Sequence, residues 1–142
     1  MATSRVCTDT VTVFNRTGTD EGRRDVYQAT VLEHVHTLAT EGVIASAQVA
    51  EDAMKLLIFD DALSVPSGRT FLECRSFFLL EDSEKADYWT LTPDGRDYVC
   101  LGQAAADADG HLPEDATLYA IRKVTRHPKG SRGMRHWTVE AV

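Results

Sequence analysis

Alternating apolar and polar positions recur along most of the chain, and they predict strands in preference to helices. Thr10–Phe14 places Val11 and Val13 on one face of a short strand. Asn15–Gly22 is rich in turn formers and predicts a loop. A longer strand is predicted over Asp25–Leu38, with Tyr27, Ala29, Val31 and Val35 as its core face. Glu33 interrupts that face, which predicts a bulge or twist beside it. Ala39–Asp52 fits helix by its Ala, Glu and Gln content and sheet by its neighbours, so both readings stand.

Met54–Phe59 is a short apolar run of the length of a buried strand. Ser64–Gly68 breaks the chain, Arg69–Leu72 predicts another short strand, and Arg75–Asp87 predicts one short helix. Tyr88–Leu101 predicts a hairpin about Thr92-Pro93-Asp94-Gly95, because proline at the second turn position and glycine at the fourth fit a type I turn. Gly102–Asp115 predicts a long loop. Thr117–Arg126 and Met134–Ala141 predict a second hairpin with His127–Gly133 at its tip. Short strands with turns between them predict a mainly β fold. The expected form is one small barrel or sandwich spanning residues 1–142, with projecting loops and at most one short helix.

At 142 residues the chain is about one domain long. No stretch approaches the ~20 apolar residues of a membrane span, and Met1–Arg5 has no apolar run behind it, so neither a span nor a signal peptide is expected. Synthesis and retention in a cytoplasm are the corresponding expectation. Cys7, Cys74 and Cys100 are odd in number and lack CxxC spacing, which argues against a disulfide framework or a zinc site. Charge is the more informative quantity. The net charge is −7, yet between Ala116 and Val139 stand Arg122, Lys123, Arg126, Lys129, Arg132 and Arg135 with no acidic residue. The remainder holds nine basic against 22 acidic residues. An acidic body with a basic C-terminal segment suits self-association or docking on an acidic neighbour; a solvated hairpin is the plain alternative.

Chemical sites are weakly signalled. His34 and His36, two apart on a strand, would share a face, but zinc needs three or four ligands and no further set completes them. Asp107-Ala108-Asp109-Gly110 has the look of a calcium loop, yet with Gly110 sixth the first and twelfth positions are Ala105 and Ala116, which offer no carboxylate. No GxSxG, GxGxxG or GxxxxGK[ST] occurs. No enzyme, metal or cofactor is expected. Trp89 and Trp137 both fit core positions; Trp137 also fits an interface anchor, because tryptophan and arginine dominate binding hot spots. Arg122, Arg126, Lys129, Arg132, Arg135 and Trp137 therefore form the candidate protein interface.

The ordered set Thr10-Val11-Thr12-Val13-Phe14-Asn15, Thr30-Val31-Leu32 with Val35, Leu56–Phe59, Trp89-Thr90-Leu91, and Gly130-Ser131, Met134, His136, Trp137 and Val139 resembles the head–tail connector proteins of tailed bacteriophages and prophages. The likeness covers nearly the whole chain; Ala39–Asp52, the Pro93–Asp97 turn and the length of Gly102–Asp115 depart from it. It implies a head-closure or stopper-like structural protein, a small barrel arranged in a ring between portal and tail, with DNA passing through. The implied partners are portal, adaptor and tail proteins and further copies of itself, and the implied location is the virion neck after assembly in the host cytoplasm. Asn15–Gly22 and Gly102–Asp115 would project into neighbours. Another neck component (a tail terminator or minor tail protein), a β-barrel binding nucleic acid or a small ligand, and a hydrolase are the alternative expectations.

Overall fold

A computed structural model describes residues 7–40, 53–94 and 96–142. Most of the ambiguous Ala39–Asp52 stretch, from 41 to 52, lies outside the described residues, as does Gly95 of the expected turn. Six antiparallel strands close a barrel: β1 (Asp9–Thr19), β2 (Asp25–Thr40), β3 (Ala53–Phe59), β8 (His136–Ala141), β7 (Tyr119–His127) and β6 (Tyr98–Leu101), in that order around it. A two-stranded parallel pair, β4 (Thr70–Phe71) with β5 (Tyr88–Trp89), accompanies it. Between β4 and β5 lie the helices α1 (Cys74–Phe78) and α2 (Asp82–Lys85). The fold is thus mainly β, as the alternation predicts.

The barrel is filled, not hollow. Val11 and Val13 of β1, Leu32 and Val35 of β2, Leu56 and Ile58 of β3, Val99, Ile121 and Val139 all pack in one buried cluster that includes Trp89 and Leu91. Period-two alternation does this wherever the register is unbroken, as in the aligned row Leu56, Val139, Val124.

Several expectations give way to tertiary effects. The loop expected over Asn15–Gly22 is strand as far as Thr19, because β2 supplies a backbone partner residue by residue and Asn15 is fully buried. The inward face of β2 is Thr30, Leu32 and Val35; of the expected set only Val35 faces in. Register decides this: Val11 stands opposite Leu32 and Val13 opposite Thr30. Val35 regains the inward face through a bulge at His34, which adopts φ 62 between the pairs Asp9–Val35 and Thr10–Glu33. The break falls beside Glu33, where the polar interruption points to it. As the bulged residue, His34 does not pair with His36 as a neighbour on a regular strand face.

Two helices replace the expected one. Leu79 caps α1, and the chain restarts at Glu81, whose backbone N–H donates to Glu84 Oε1 at 3.3 Å. The expected Tyr88–Leu101 hairpin does not form, since β5 pairs with β4 while β6 pairs with β1 and β7. The hairpin of β7 and β8 is present and carries its own bulge between Ile121 and Lys123.

The segment Gly102–Asp115 is irregular but does not project. It lies as a strap along the outer face of β1 and β2. Gly102 N–H donates to Thr10 O at 2.7 Å, the Thr12 hydroxyl donates to Gly102 O at 2.8 Å, and Tyr27 N–H donates to Gly110 O at 2.7 Å. Gly110 sits at φ 82, a left-handed conformation that favours glycine, and an added Cβ would stand in ordinary contact with Val26 at 3.4 Å. At its far end the His111 ring meets Asp20 Oδ2 at 2.7 Å, fastening the strap to the β1–β2 turn. Thr12 and Phe14, which the alternation turns away from the barrel core, are fully buried on this face.

Candidate functional site

The β7–β8 hairpin carries the basic segment, and its register sorts those residues into different surroundings. Arg126 stands opposite Trp137, which stands opposite Ile58, so all three share the inward-facing row at one end of the barrel. Arg126 does not run free there. Its Nη1 and Nη2 donate to the two carboxylate oxygens of Asp60 at 2.7 and 2.6 Å, a bidentate pair, and its guanidinium lies 5.1 Å from the Trp137 ring centre. That pairing, with smaller help from Arg135 and His136 and despite burial, holds the Asp60 carboxyl below its ordinary range. Trp137 is partly buried and packs on Phe71 at 5.1 Å between ring centres, while Phe71 meets the buried Trp89 edge-on at 4.9 Å. A recess of about 400 Å³ opens beside these rings and the ion pair.

Three of the remaining candidates face outward. Arg122 is exposed at the β7 bulge. Lys129 and Arg135 are exposed, and neither forms an ion pair among the described residues. Arg132 opens a short 3₁₀ turn, Arg132–Met134; its side chain lies outside the described residues. Gly130 makes the tip possible at φ 102, where a Cβ would stand 3.2 Å from Met134.

Three rings outside the candidate interface set stiffen this tip. His127 and His136 face each other across the hairpin and stack at 4.4 Å and 15°, and Phe59 of β3 stacks on His136 at 4.8 Å. His136 Nδ1 donates to Met134 O at 2.8 Å, which sets the ring's direction. Beside the stack lies an open groove of about 510 Å³, lined by residues 126–130 with Met134 and His136. Met134 is 57% exposed there. Basic side chains around an apolar floor suit an acidic, apolar protein segment. The facing histidines were legible once the hairpin was drawn, since residues 127 and 136 flank its tip. Asp60 and Phe59 were not, because local pattern does not say that β3 pairs with β8.

Acidic groups gather elsewhere. Asp107, Asp109 and His111 bring their ligand atoms within 4.8 Å of one another, the one such group among the described residues. Their bonding is internal: Asp107 Oδ1 accepts from the backbone N–H of Asp109 at 2.8 Å and of His111 at 2.9 Å, while Asp20 takes the other side of His111. This is a clasp for the strap. All three cysteines are free thiols; Cys7 and Cys100 are buried and Cys74 is partly so. No helix among the described residues is long and apolar enough to cross a membrane.

Fold and hairpin together define a small filled β-barrel with a basic, partly apolar hairpin tip at one end. The chain belongs to DUF6751, a family of unknown function, whose model matches residues 6–142. No curated protein and no solved structure matches it.

Proposed function

We propose that this protein is a structural component of a phage head–tail connector, of the head-closure or stopper kind, which assembles as a ring at the virion neck. The observation that carries the reading is a division of charge around the barrel. β1 and β2 lie opposite β8 and β7 in the six-strand order. The flank of β1 and β2 carries the strap with exposed Asp107 and Asp109 and, beside them, Glu114. The flank of β7 and β8 carries exposed Arg122, Lys129 and Arg135. A body acidic on one side and basic on the other favours a head-to-tail contact between copies, and such a contact forms a ring when its rotation closes. Net charge of −7 also disfavours adhesion to DNA moving through the ring.

Portal, adaptor and tail proteins are the partners in this reading. Its test is assembly without the protein. Particles should then accumulate as filled heads and separate tails, and purified protein added back should join them. Normal joined particles in its absence would refute the connector role.

A further inference from the structure

We infer that the groove at the hairpin tip receives the Phe78–Leu79 knob of a second copy of this chain. The inference rests on the ring reading above and names the contact that builds the ring. Leu79, at the end of α1, is 87% exposed, the most exposed large apolar side chain among the described residues, and Phe78 beside it is 44% exposed. Two adjacent apolar side chains this open are available for a partner to cover. Its surroundings are acidic: residues 73–87 hold Glu73, Glu81, Asp82, Glu84 and Asp87 against Arg75 and Lys85. The groove has the opposite character, an apolar floor beside exposed Lys129 and Arg135 in a segment with no acidic residue from 116 to 139. Polarity and charge therefore match: two apolar side chains enter the groove while the carboxylates of Glu81 and Asp82 meet the two cations.

Placement excludes closure within one copy. α2, just after the knob, is anchored on the flank of β1 and β2, where Lys85 Nζ donates to Thr17 O at 3.1 Å and Gln28 Nε2 donates to Lys85 O at 3.1 Å, and Lys85 Nζ lies 5.8 Å from the ring centre of Phe77, next to the knob. The groove belongs to β7 and β8, across the barrel. One copy offers its knob to the next and its groove to the one before, the head-to-tail pattern.

Sedimentation equilibrium of the full chain tests this. Wild type should gain mass with concentration. Leu79→Asp, and separately Met134→Asp combined with Lys129→Glu, should each weaken association at least tenfold; all three positions are exposed. Mixing the two variants leaves one intact knob and one intact groove, so the mixture should form dimers and stop there. Wild type that stays monomeric up to millimolar concentration, variants that associate as wild type does, or a mixture that gives no dimer would overturn the inference. Such a failure is separable from failure of the connector reading, which is judged by whether heads and tails join.

Discussion

The side-chain amide of Asn15 pairs with the backbone of Thr90 as a neighbouring strand would, its Nδ2 donating to Thr90 O at 2.7 Å and its Oδ1 accepting from Thr90 N–H at 3.1 Å. The same Nδ2 donates to Asp97 Oδ2 at 2.9 Å, and Arg16 N–H donates to Asp97 Oδ1 at 2.9 Å. Asn15, Thr90 and Asp97 are fully buried, and burial raises the Asp97 carboxyl above its ordinary range against the pull of those hydrogen bonds. One side chain thus ties the residue after β5 to the residue before β6.

Asn15→Ala should therefore cost about 2 to 3 kcal/mol, because it leaves buried backbone groups of Thr90 and one oxygen of Asp97 without partners. The denaturant midpoint measures it. A change within a few tenths of a kcal/mol would contradict the role given to this amide.

The Arg126–Asp60 pair is about a third exposed on both sides, so solvent and salt screen it. Arg126→Met should lower stability by no more than about 1 kcal/mol, while shifting the fluorescence of Trp137, whose ring face loses its cation. The Asp60 carboxyl is depressed, so its stabilisation is complete above the ordinary aspartate range near pH ~3.9 and is lost as pH falls through its lower folded value. Asp60→Asn should flatten the acid limb of the stability curve there.

The strap clasp has the same sign. Hydrogen bonds from Arg24 and His111 depress Asp20, and backbone bonds from His111 and Asp109 depress Asp107. Acidification should release the strap before the barrel, read as faster amide exchange at Tyr27, whose N–H is held by Gly110 O. His111→Ala should produce the same exchange at neutral pH. Unchanged protection in that variant would remove the clasp from the account.

Tyrosine ionisation reports the outer face of β2, where the Tyr27 ring meets Tyr98 edge-on at 5.9 Å. Burial first, then neighbouring Tyr98 and acidic groups, pushes the Tyr27 phenol up to about 12. Tyr27→Phe should abolish the last step of the tyrosinate absorbance titration and leave the earlier steps in place.

Most of the barrel was legible because period-two alternation survives wherever a strand has one inner face, as in Met54–Phe59 and the β7–β8 hairpin. The failures share one physical cause. Asn15 reads locally as a turn former, but its amide is spent on Thr90, 75 residues away. Tyr88–Leu101 reads as a hairpin around Pro93, yet its two halves have stronger partners elsewhere. At the basic hairpin the sequence located Arg126 and Trp137 together, and their opposed register supports grouping them. It could not foresee that Asp60 already holds Arg126, which leaves Arg122, Lys129 and Arg135 as the outward cations of the candidate set.

The most direct measurement places a photo-crosslinking amino acid at Leu79 and maps the adduct by mass spectrometry in concentrated protein. The account predicts a bond from residue 79 of one copy to the segment 126–136 of another. Adducts confined to other surfaces, or none between copies, would contradict it.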